Sequence, residues 1–457
     1  MSLPPNLGID LDPVRHPEGC RPGLDCERWH IAGARVIDPA HGVDAIRDVF
    51  LDAGRIKAYD TPPEDFAHAR RIDAHGRWLI PGVIDLWARL REPGAEHKAT
   101  VASEAAAAVS AGITTLCLPP DTDPVLDTVA VARFVKRRAQ LAGRARVLCI
   151  GALTQGLRGE LLSEMAELAE GGCVALSNTH LPMKDLRLTR RALEYAATFG
   201  ITVIVRPLDA SLSRNGCAHE GPIATRLGLP PIPVSAETAP LAQLIALMEE
   251  TGARVHVLGV SSAAAVRMIE RARRDGLPLS ASVSAHQLWL SEMDTDAFDP
   301  NCHLLPPLRS LRDRDALRQG LADGTLGTVF SDHQPHEEDA KLAPFPETEP
   351  GLSGLETLLP LTLKLAEDGV LPLNEAIARL TRGPAQALGL TDCGGLAVAQ
   401  RADLALIDPD AAWSLDADTL ISAGRNTPFH GWDFTGRVSH TWVSGRLVHG
   451  AAEPAAS

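Results

Sequence analysis

The sequence has no long apolar run, no paired-cysteine motif and no surplus of basic residues. No apolar stretch approaches the roughly 20 residues that a membrane-spanning helix requires. The eight cysteines form no C-x-x-C pair, which argues against a zinc knuckle and a disulfide framework. Acidic residues (58) outnumber basic ones (44), giving a net charge of −14, so we expect neither a nucleic-acid nor a membrane partner. The N-terminus lacks the basic start and apolar core of a signal peptide, and we expect a cytoplasmic protein.

The 457 residues divide into parts that differ in composition and hydrophobic pattern. Residues 1–26 hold five prolines and few apolar side chains, so we interpret them as an extension that is either a flexible tail or a partner-binding arm. Residues 27–78 contain short alternating segments that are typical of a small sheet. We expect them to form one small β domain together with residues 395–450. The strand patterns at 402–408 and 437–450 lie outside the predicted barrel, so they need other strands to pair with. Residues 79–394 form the third part.

Short apolar runs alternate with amphipathic helices through residues 79–394. Helical patterns cover 127–143, 186–200 and 261–276, and each ends in a glycine that is typical of a helix C-cap. Nearly continuous apolar runs indicate parallel strands that are covered on both faces. The sequence therefore predicts an α/β protein with a (β/α)8 TIM-type barrel and a small β-sandwich domain built from both chain ends. The eight predicted barrel strands are 79–86, 113–118, 145–153, 173–177, 201–205, 253–260, 277–284 and 327–330.

Several long motifs resemble dihydroorotase of the cyclic amidohydrolase group. PGVIDLWARLREPG (81–94) is similar to that family's first strand, which runs into His-x-His and then Leu-Arg-Glu-Pro-Gly. The resemblance covers roughly residues 28–450 and implies the barrel fold, with chemistry at the C-terminal ends of the strands. Further matching segments are LPPDTDPV (118–125), PPLRSLRDRDALRQGLADG (306–324), FSDHQPHEEDAKLAPFPETEPGLSGLET (330–357) and NTPFHGWDFTGRVSHTWVSGRLV (426–448).

The metal-binding positions implied by the resemblance carry the wrong residues. Active family members hold two divalent metals, usually zinc. Three residue types found at these positions cannot bind metal, because arginine stays protonated, glycine has no side chain, and tryptophan offers only an N–H donor. Zinc needs at least three N, O or S ligands. Five of six positions are lost, and we expect no metal, no other cofactor and no catalytic residue. In chain order the six positions are Trp87, Arg89, Asn178, Arg206, Gly259 and the retained aspartate Asp332.

An electrostatic substitute for the metals is available at these positions. Without metals Asp332 would be an unpaired buried carboxylate, which is costly, and arginine can pair with a carboxylate through two hydrogen bonds. We predict that Arg89 or Arg206 pairs with Asp332. Three other histidines, His180, His333 and His336, could rebuild a metal site, but the latter two also belong to a retained loop motif.

The substrate-side positions are mixed. Arg91 matches the arginine that the family uses to hold the dihydroorotate carboxylate, or it could instead form an ion pair with Glu92 or Asp121. Asp121 and Leu305 stand where the resemblance implies asparagines. With one of three polar contacts kept, we expect no tight binding of dihydroorotate.

Three functions are compatible with these residues. The first is an inactive dihydroorotase homologue that serves as a structural subunit of aspartate transcarbamoylase in pyrimidine biosynthesis, since some bacterial enzymes of that type depend on such a chain. We then expect a homo-oligomer that binds the aspartate transcarbamoylase catalytic chain. The second is an active dihydroorotase or related cyclic amidohydrolase with an altered metal site. The third is a small-molecule sensor that binds an anion through Arg91 and Arg206.

Overall fold

The computed structural model describes residues 27–64 and 66–450. The predicted N-terminal extension, residues 1–26, lies outside the described residues. The described chain forms two main sheets, one built from both chain ends and one inside the central segment. Among the residues described, no helix is long and apolar enough to cross a membrane.

Both chain ends contribute strands to one eight-stranded sheet. Its order is β18-β17-β16-β5-β1-β2-β3, with β4 beside β1. The junction between the two ends is β5, which is parallel to β1 and antiparallel to β16. The predicted pairing of the C-terminal strands with the N-terminal ones is thus confirmed. The strands are β1 (Trp29–Asp38), β2 (Val43–Asp52), β3 (Arg55–Tyr59), β4 (Arg70–Asp73), β5 (Trp78–Pro81), β16 (Leu404–Ser414), β17 (Asp433–Val443) and β18 (Arg446–His449).

The second sheet has eight parallel strands and forms the barrel. Its order follows the chain from β6 to β15, as expected for strands joined by helical crossovers. Its ends meet just beyond the strands, where the Arg89 N–H donates to the His333 carbonyl at 2.9 Å. The predicted α/β fold with an eight-stranded barrel is confirmed. The strands are β6 (Val83–Asp85), β7 (Ile113–Leu118), β8 (Arg146–Ala152), β9 (Cys173–Ser177), β10 (Val203–Val205), β13 (Val255–Val257), β14 (Leu279–Ser284) and β15 (Thr328–Phe330), while β11 (Ala218–His219) and β12 (Pro231–Ile232) form a separate pair.

The first predicted barrel strand, 79–86, is in fact two strands in different sheets. β5 ends at Pro81 and β6 begins at Val83, so the chain changes sheet at Gly82. The Gly82 N–H donates to the Asp403 carbonyl at 2.8 Å, and a Cβ at Gly82 would collide with the Thr114 side chain. Close packing on both sides therefore requires glycine where the two sheets meet.

Helices cover the outside of the barrel. Gly143 and Gly200 cap α2 and α4 in the left-handed conformation, as predicted, whereas α7 ends at Arg274 with Asp275 as its cap. Asp185 begins α4 by accepting the Leu188 N–H at 2.8 Å. The helices are α1 (Val101–Ser110), α2 (Val129–Ala142), α3 (Met165–Glu170), α4 (Leu186–Phe199), α5 (Pro222–Leu227), α6 (Ser235–Thr251), α7 (Ala263–Arg274), α8 (Leu311–Ala322), α9 (Leu355–Glu367), α10 (Leu373–Leu380) and α11 (Arg382–Leu388).

Candidate functional site

The six positions that the family resemblance assigns to metal ligands all lie just after the carboxyl ends of barrel strands. Parallel strands bring their carboxyl ends to one edge, so residues that follow different strands become neighbours. The five that have side chains are all buried. They follow β6 (Trp87, Arg89), β9 (Asn178), β10 (Arg206) and β15 (Asp332), and Gly259 follows β13.

Arg206 forms a buried ion pair with Asp332. Its Nη2 donates to Asp332 Oδ1 at 2.6 Å, and its Nη1 donates to the Leu305 carbonyl at 3.0 Å. Burial by itself raises the pKa of Asp332, but the charge and hydrogen bond of Arg206 outweigh it and hold that pKa below its usual value. The prediction that one of the two arginines pairs with Asp332 is confirmed, and Arg206 is that arginine.

The guanidinium of Arg206 packs directly beside Gly259. A Cβ on Gly259 would lie 3.5 Å from Arg206 Nε and 3.6 Å from Phe330 Cζ, and Gly259 has a φ of +71°. The Arg206 guanidinium carbon is 5.9 Å from the ring centroid of Trp87 and 6.0 Å from that of Phe330, within the range of cation–π attraction. Glycine at position 259 and arginine at position 206 therefore pack against each other.

Arg89 is neutralised by a different carboxylate. Its Nε donates to Asp121 Oδ2 at 2.8 Å, and its Nη1 donates to Gln334 Oε1 at 3.0 Å. Burial opposes ionisation of Asp121, but the charge of Arg89 outweighs it and lowers the pKa of Asp121. The Arg89 guanidinium carbon is also 5.9 Å from the Trp87 ring centroid. The Trp87 ring is thus within cation–π range of both guanidiniums of the barrel mouth.

Asn178 is occupied by local hydrogen bonds. Its Oδ1 accepts the hydroxyl of Thr154 at 2.6 Å, and its Nδ2 donates to the Leu181 carbonyl at 3.1 Å. These bonds fix the start of the segment that joins β9 to α4. The amide thus takes a structural role at the position where the resemblance implies a bridging carboxylate.

Arg91 does not form the ion pair that the sequence suggested. Its Nε donates to the Pro335 carbonyl at 2.9 Å, and its Nη2 lies 3.2 Å from His336 Nε2. Glu92 pairs with Arg138 instead, and Asp121 pairs with Arg89, so the ion-pair alternative was wrong. Burial, and then the nearby charge of Arg89, lower the pKa of Arg91 to about 10. Leu305 contributes its backbone carbonyl to Arg206 and has no polar side chain to offer.

Two of the three histidines that could have rebuilt a metal site, His333 and His336, make other contacts. His333 accepts the Gly354 N–H on Nδ1 at 3.1 Å, so its Nε2 carries the proton that it donates to Glu104 Oε2 at 2.8 Å. His336 Nε2 lies 3.1 Å from the Pro350 carbonyl. Burial, and then the charges of the two mouth arginines, lower the pKa of His180 to about 4.

These residues do not fit a zinc centre. Within residues 27–64 and 66–450, no group of three or more His, Cys, Asp or Glu side chains is placed to hold a metal ion, and a structural or catalytic zinc needs at least three such ligands. The remaining family aspartate, Asp332, accepts from Arg206. Neither Gln334 as a partner of Arg89 nor Glu104 as the partner of His333 could be predicted from local sequence, because each contact joins segments far apart in the chain.

Family models and relatives agree on the class of the protein. The model described as "Dihydro-orotase-like" matches residues 76–265, and the model described as "Amidohydrolase family" matches residues 353–449. A dihydroorotase-like protein of Pseudomonas aeruginosa is 47% identical over 419 residues, which cover 92% of this chain and 99% of that protein. A protein named dihydroorotase from Anaeromyxobacter sp. (strain K) is 46% identical over 421 residues, which cover 92% and 97%.

Solved structures agree on the fold. The L-hydantoinase (dihydropyrimidinase) of Arthrobacter aurescens superposes with a TM-score of 0.82 over 93% of this chain and 96% of that chain, at 23% sequence identity. Identity at this level supports a shared architecture alone, whereas the relatives at 46–47% identity over nearly the full chain define the family. The chain belongs to the dihydroorotase-like amidohydrolase family.

Proposed function

We propose that this protein is a catalytically inactive dihydroorotase homologue and a structural subunit for the assembly of aspartate transcarbamoylase in pyrimidine biosynthesis. The observation that carries the loss of activity is the 2.6 Å hydrogen bond from Arg206 to Asp332. It uses the one family ligand that remains. Hydrolysis of a cyclic amide in this family depends on a metal that polarises the carbonyl and activates water, and the residues present supply no such centre.

The charges at the barrel mouth also support a non-catalytic role. A general base works best when its pKa lies near the working pH, but Arg206 holds the pKa of Asp332 below its usual value. Arg89 lowers the pKa of Asp121 in the same way. Each of these carboxylates is therefore a poor base and a satisfied partner of an arginine. The two ion pairs thus balance the buried charges of the mouth with the protein's own side chains.

The partner in this proposal comes from the family resemblance. In the arrangement that it implies, an inactive dihydroorotase-like barrel supports an aspartate transcarbamoylase catalytic chain, and its outer surface makes the contacts. We expect this chain to act as such a scaffold, as a homo-oligomer in the cytoplasm. The proposal needs only that the barrel stays folded without metals.

A second candidate function is an active dihydroorotase or related cyclic amidohydrolase with an altered site. The observation in its favour is that relatives 46% identical to this chain bear the name dihydroorotase. This alternative requires a bound metal or another way to activate water.

Activity and metal content together decide between these two functions. The purified protein is assayed for dihydroorotate hydrolysis and for the reverse reaction with excess zinc, and its metal content is measured by mass spectrometry. We expect no turnover above background and no stoichiometric zinc. Asp332→Asn is the matched control, because turnover that the variant also shows comes from a contaminant. Turnover in the parent chain that disappears in the variant would contradict the inactive assignment.

Assembly is tested separately by mixing the protein with an aspartate transcarbamoylase catalytic chain. Native mass spectrometry should show a stable complex of defined stoichiometry, and transcarbamoylase activity should depend on it. Removing residues 1–26 should weaken that complex if the extension is a partner-binding arm, and leave it unchanged if it is a plain tail. Failure of the full-length chain to form any complex would contradict the structural role.

A further inference from the structure

The outward face of α2 carries two large apolar side chains. Phe134 is 46% exposed and Leu141 is 63% exposed. They are seven residues apart, so they lie on the same side of the helix about two turns from each other. The opposite side of α2, with Ala132, Val135 and Ala139, is buried. The helix therefore has an outward apolar pair as well as an inward apolar face, and the outward pair is open to water in the described part of the chain.

Basic side chains flank this apolar pair. Arg133 and Arg137 are exposed and form no ion pair with any residue of 27–64 or 66–450. At about 100° of rotation per residue they lie on one side of the pair. Arg138 lies on the other side and is bound to Glu92. The 14 residues of α2 include no acidic residue, although the whole chain has a net charge of −14. A segment that is both apolar and acidic would therefore complement this face.

The N-terminal extension contains a segment of this kind. Residues 7–14, LGIDLDPV, hold four large apolar side chains and two acidic ones, and no basic one. In chain order they are Leu7, Ile9, Asp10, Leu11, Asp12 and Val14. The composition of residues 7–14 thus matches both the apolar pair and the positive charge of α2.

The first described residue, Glu27, lies close to the carboxyl end of α2. Arg446 donates a hydrogen bond to the carbonyl of Gly143, which caps α2, and Arg144 donates to the Val448 carbonyl. Burial, and then the charge of Arg144, lower the pKa of Arg446, and the charge of Glu27 opposes this shift. The extension therefore joins the described chain at the end of α2 where Leu141 lies.

The connection is long enough for binding within one chain. Twelve residues lie between Val14 and Glu27, and a fully extended chain of that length spans about 40 Å. Phe134 and Leu141 are only about 10 Å apart along the helix axis. A tethered segment also has a high effective concentration, about millimolar for a short flexible connection, so a small contact area is sufficient.

We propose that residues 7–14 bind to the outward face of α2 in the same chain. Their apolar side chains cover Phe134 and Leu141, and their two aspartates lie near Arg133 and Arg137. The extension is then neither a plain tail nor a free partner-binding arm. This contact joins two parts of one chain, so it does not depend on the proposed scaffold function.

Photo-crosslinking in the full chain tests the proposal. Leu141 is replaced by the photoreactive residue benzoylphenylalanine, and the cross-linked peptides are identified by mass spectrometry. We expect the main product to join position 141 to residues 7–14 and to migrate as a single chain on a denaturing gel. The matched control places the same photoreactive residue at Phe199, which is 53% exposed at the end of α4, and should give no product with residues 7–14.

The apolar part of the contact is tested by a double substitution in the extension. Ile9→Ser combined with Leu11→Ser should lower the yield from position 141 at least about fivefold, because these side chains no longer gain from burial. An unchanged yield would overturn the proposal. A product at position 141 that joins only a second copy, an added aspartate transcarbamoylase chain or other parts of this chain would do the same, as would the absence of any product.

The charged part of the contact is tested by reversal and rescue. Arg133→Glu combined with Arg137→Glu should lower the yield about threefold, since exposed charge pairs contribute modestly. Adding Asp10→Arg and Asp12→Arg to that variant should restore the yield. Arg187→Glu is the matched control, because it reverses an exposed arginine of α4, and it should leave the yield unchanged. Failure of the rescue in a folded variant would contradict the charge pairing on which the proposal depends.

Discussion

Replacing Arg206 by methionine should destabilise the protein by about 3–5 kcal/mol, the usual cost of removing one partner of a buried ion pair. The Arg206–Asp332 contact of 2.6 Å joins two side chains that are 5% and 8% exposed. At an effective dielectric constant of 20, Coulomb's law gives an attraction of about 6 kcal/mol at this distance. Arg206→Met also removes the free-energy cost of burying the arginine charge, which offsets part of the lost attraction. Asp332, however, stays buried without its partner.

A double-mutant cycle isolates the pair. Urea unfolding at pH 7 is compared for the parent, Arg206→Met, Asp332→Asn and the double variant. We expect the double variant to be more stable than Arg206→Met, with a coupling free energy of roughly 3 kcal/mol, the upper end for interacting residues. The control is the same cycle on Arg190 and Glu250, whose side chains are 49% and 60% exposed, and which should couple much more weakly because solvent screens an exposed pair.

The pH dependence provides an independent check of the same reasoning. Because the pKa of Asp332 is lowered in the folded parent, the pair stabilises the protein above the unfolded pKa near 4, and this contribution is lost as the pH falls through the folded pKa. In Arg206→Met, burial should instead raise the pKa of Asp332, so acidification from pH 7 to pH 5 should stabilise the variant. The stability gap between parent and variant should therefore narrow. A gap below about 1 kcal/mol, or a gap independent of pH, would refute the assignment.

Three further substitutions test the remaining contacts of the site by urea unfolding. Gly259→His should cost about 1–3 kcal/mol, because position 259 has a φ of +71°, which strains any residue with a Cβ, and because the imidazole would extend from a Cβ that already lies 3.5 Å from Arg206 Nε; the same change in an Arg206→His background should cost less. Arg89→Met should cost about 1–2 kcal/mol, less than the loss of Arg206, because its carboxylate partner is 24% exposed and solvent weakens the pair. Glu104→Gln should cost about 2–3 kcal/mol by weakening buried charged hydrogen bonds. Below pH 4 the free energy of unfolding should fall less in Glu104→Gln than in the parent. The pKa of Glu104 is lowered in the folded parent, so the parent loses the stabilisation from ionised Glu104 on acidification, whereas the variant has none to lose.

Much of the fold could be predicted from local pattern. The strands 113–118 and 173–177 begin and end where the apolar runs do, and the glycines after α2 and α4 adopt the left-handed cap that the sequence indicated. The division of 79–86 could not be predicted in this way. It depends on a hydrogen bond from Gly82 to Asp403, more than 300 residues further along the chain.

The site could be predicted as a set of positions but not as a set of pairs. Motif comparison identified the positions at the strand ends, and charge balance required an arginine for Asp332. Whether Arg89 or Arg206 would supply it depends on which strands are neighbours around the barrel and on the space left by Gly259. The same applies to Asp121, which stands where the resemblance implies an asparagine and whose charge is balanced by Arg89 at 2.8 Å.

The residues at the barrel mouth depend on one another. Arg206 packs beside Gly259, its charge is balanced by Asp332, and its guanidinium lies near Trp87, which also lies near Arg89. A histidine restored at a single position would therefore meet an arginine or a tryptophan and would find too few ligands to share a metal with. A metal centre at these positions would require several simultaneous replacements. Five of the residues, namely Trp87, Arg89, Arg206, Gly259 and Asp332, are thus better described as one connected packing arrangement than as independent positions.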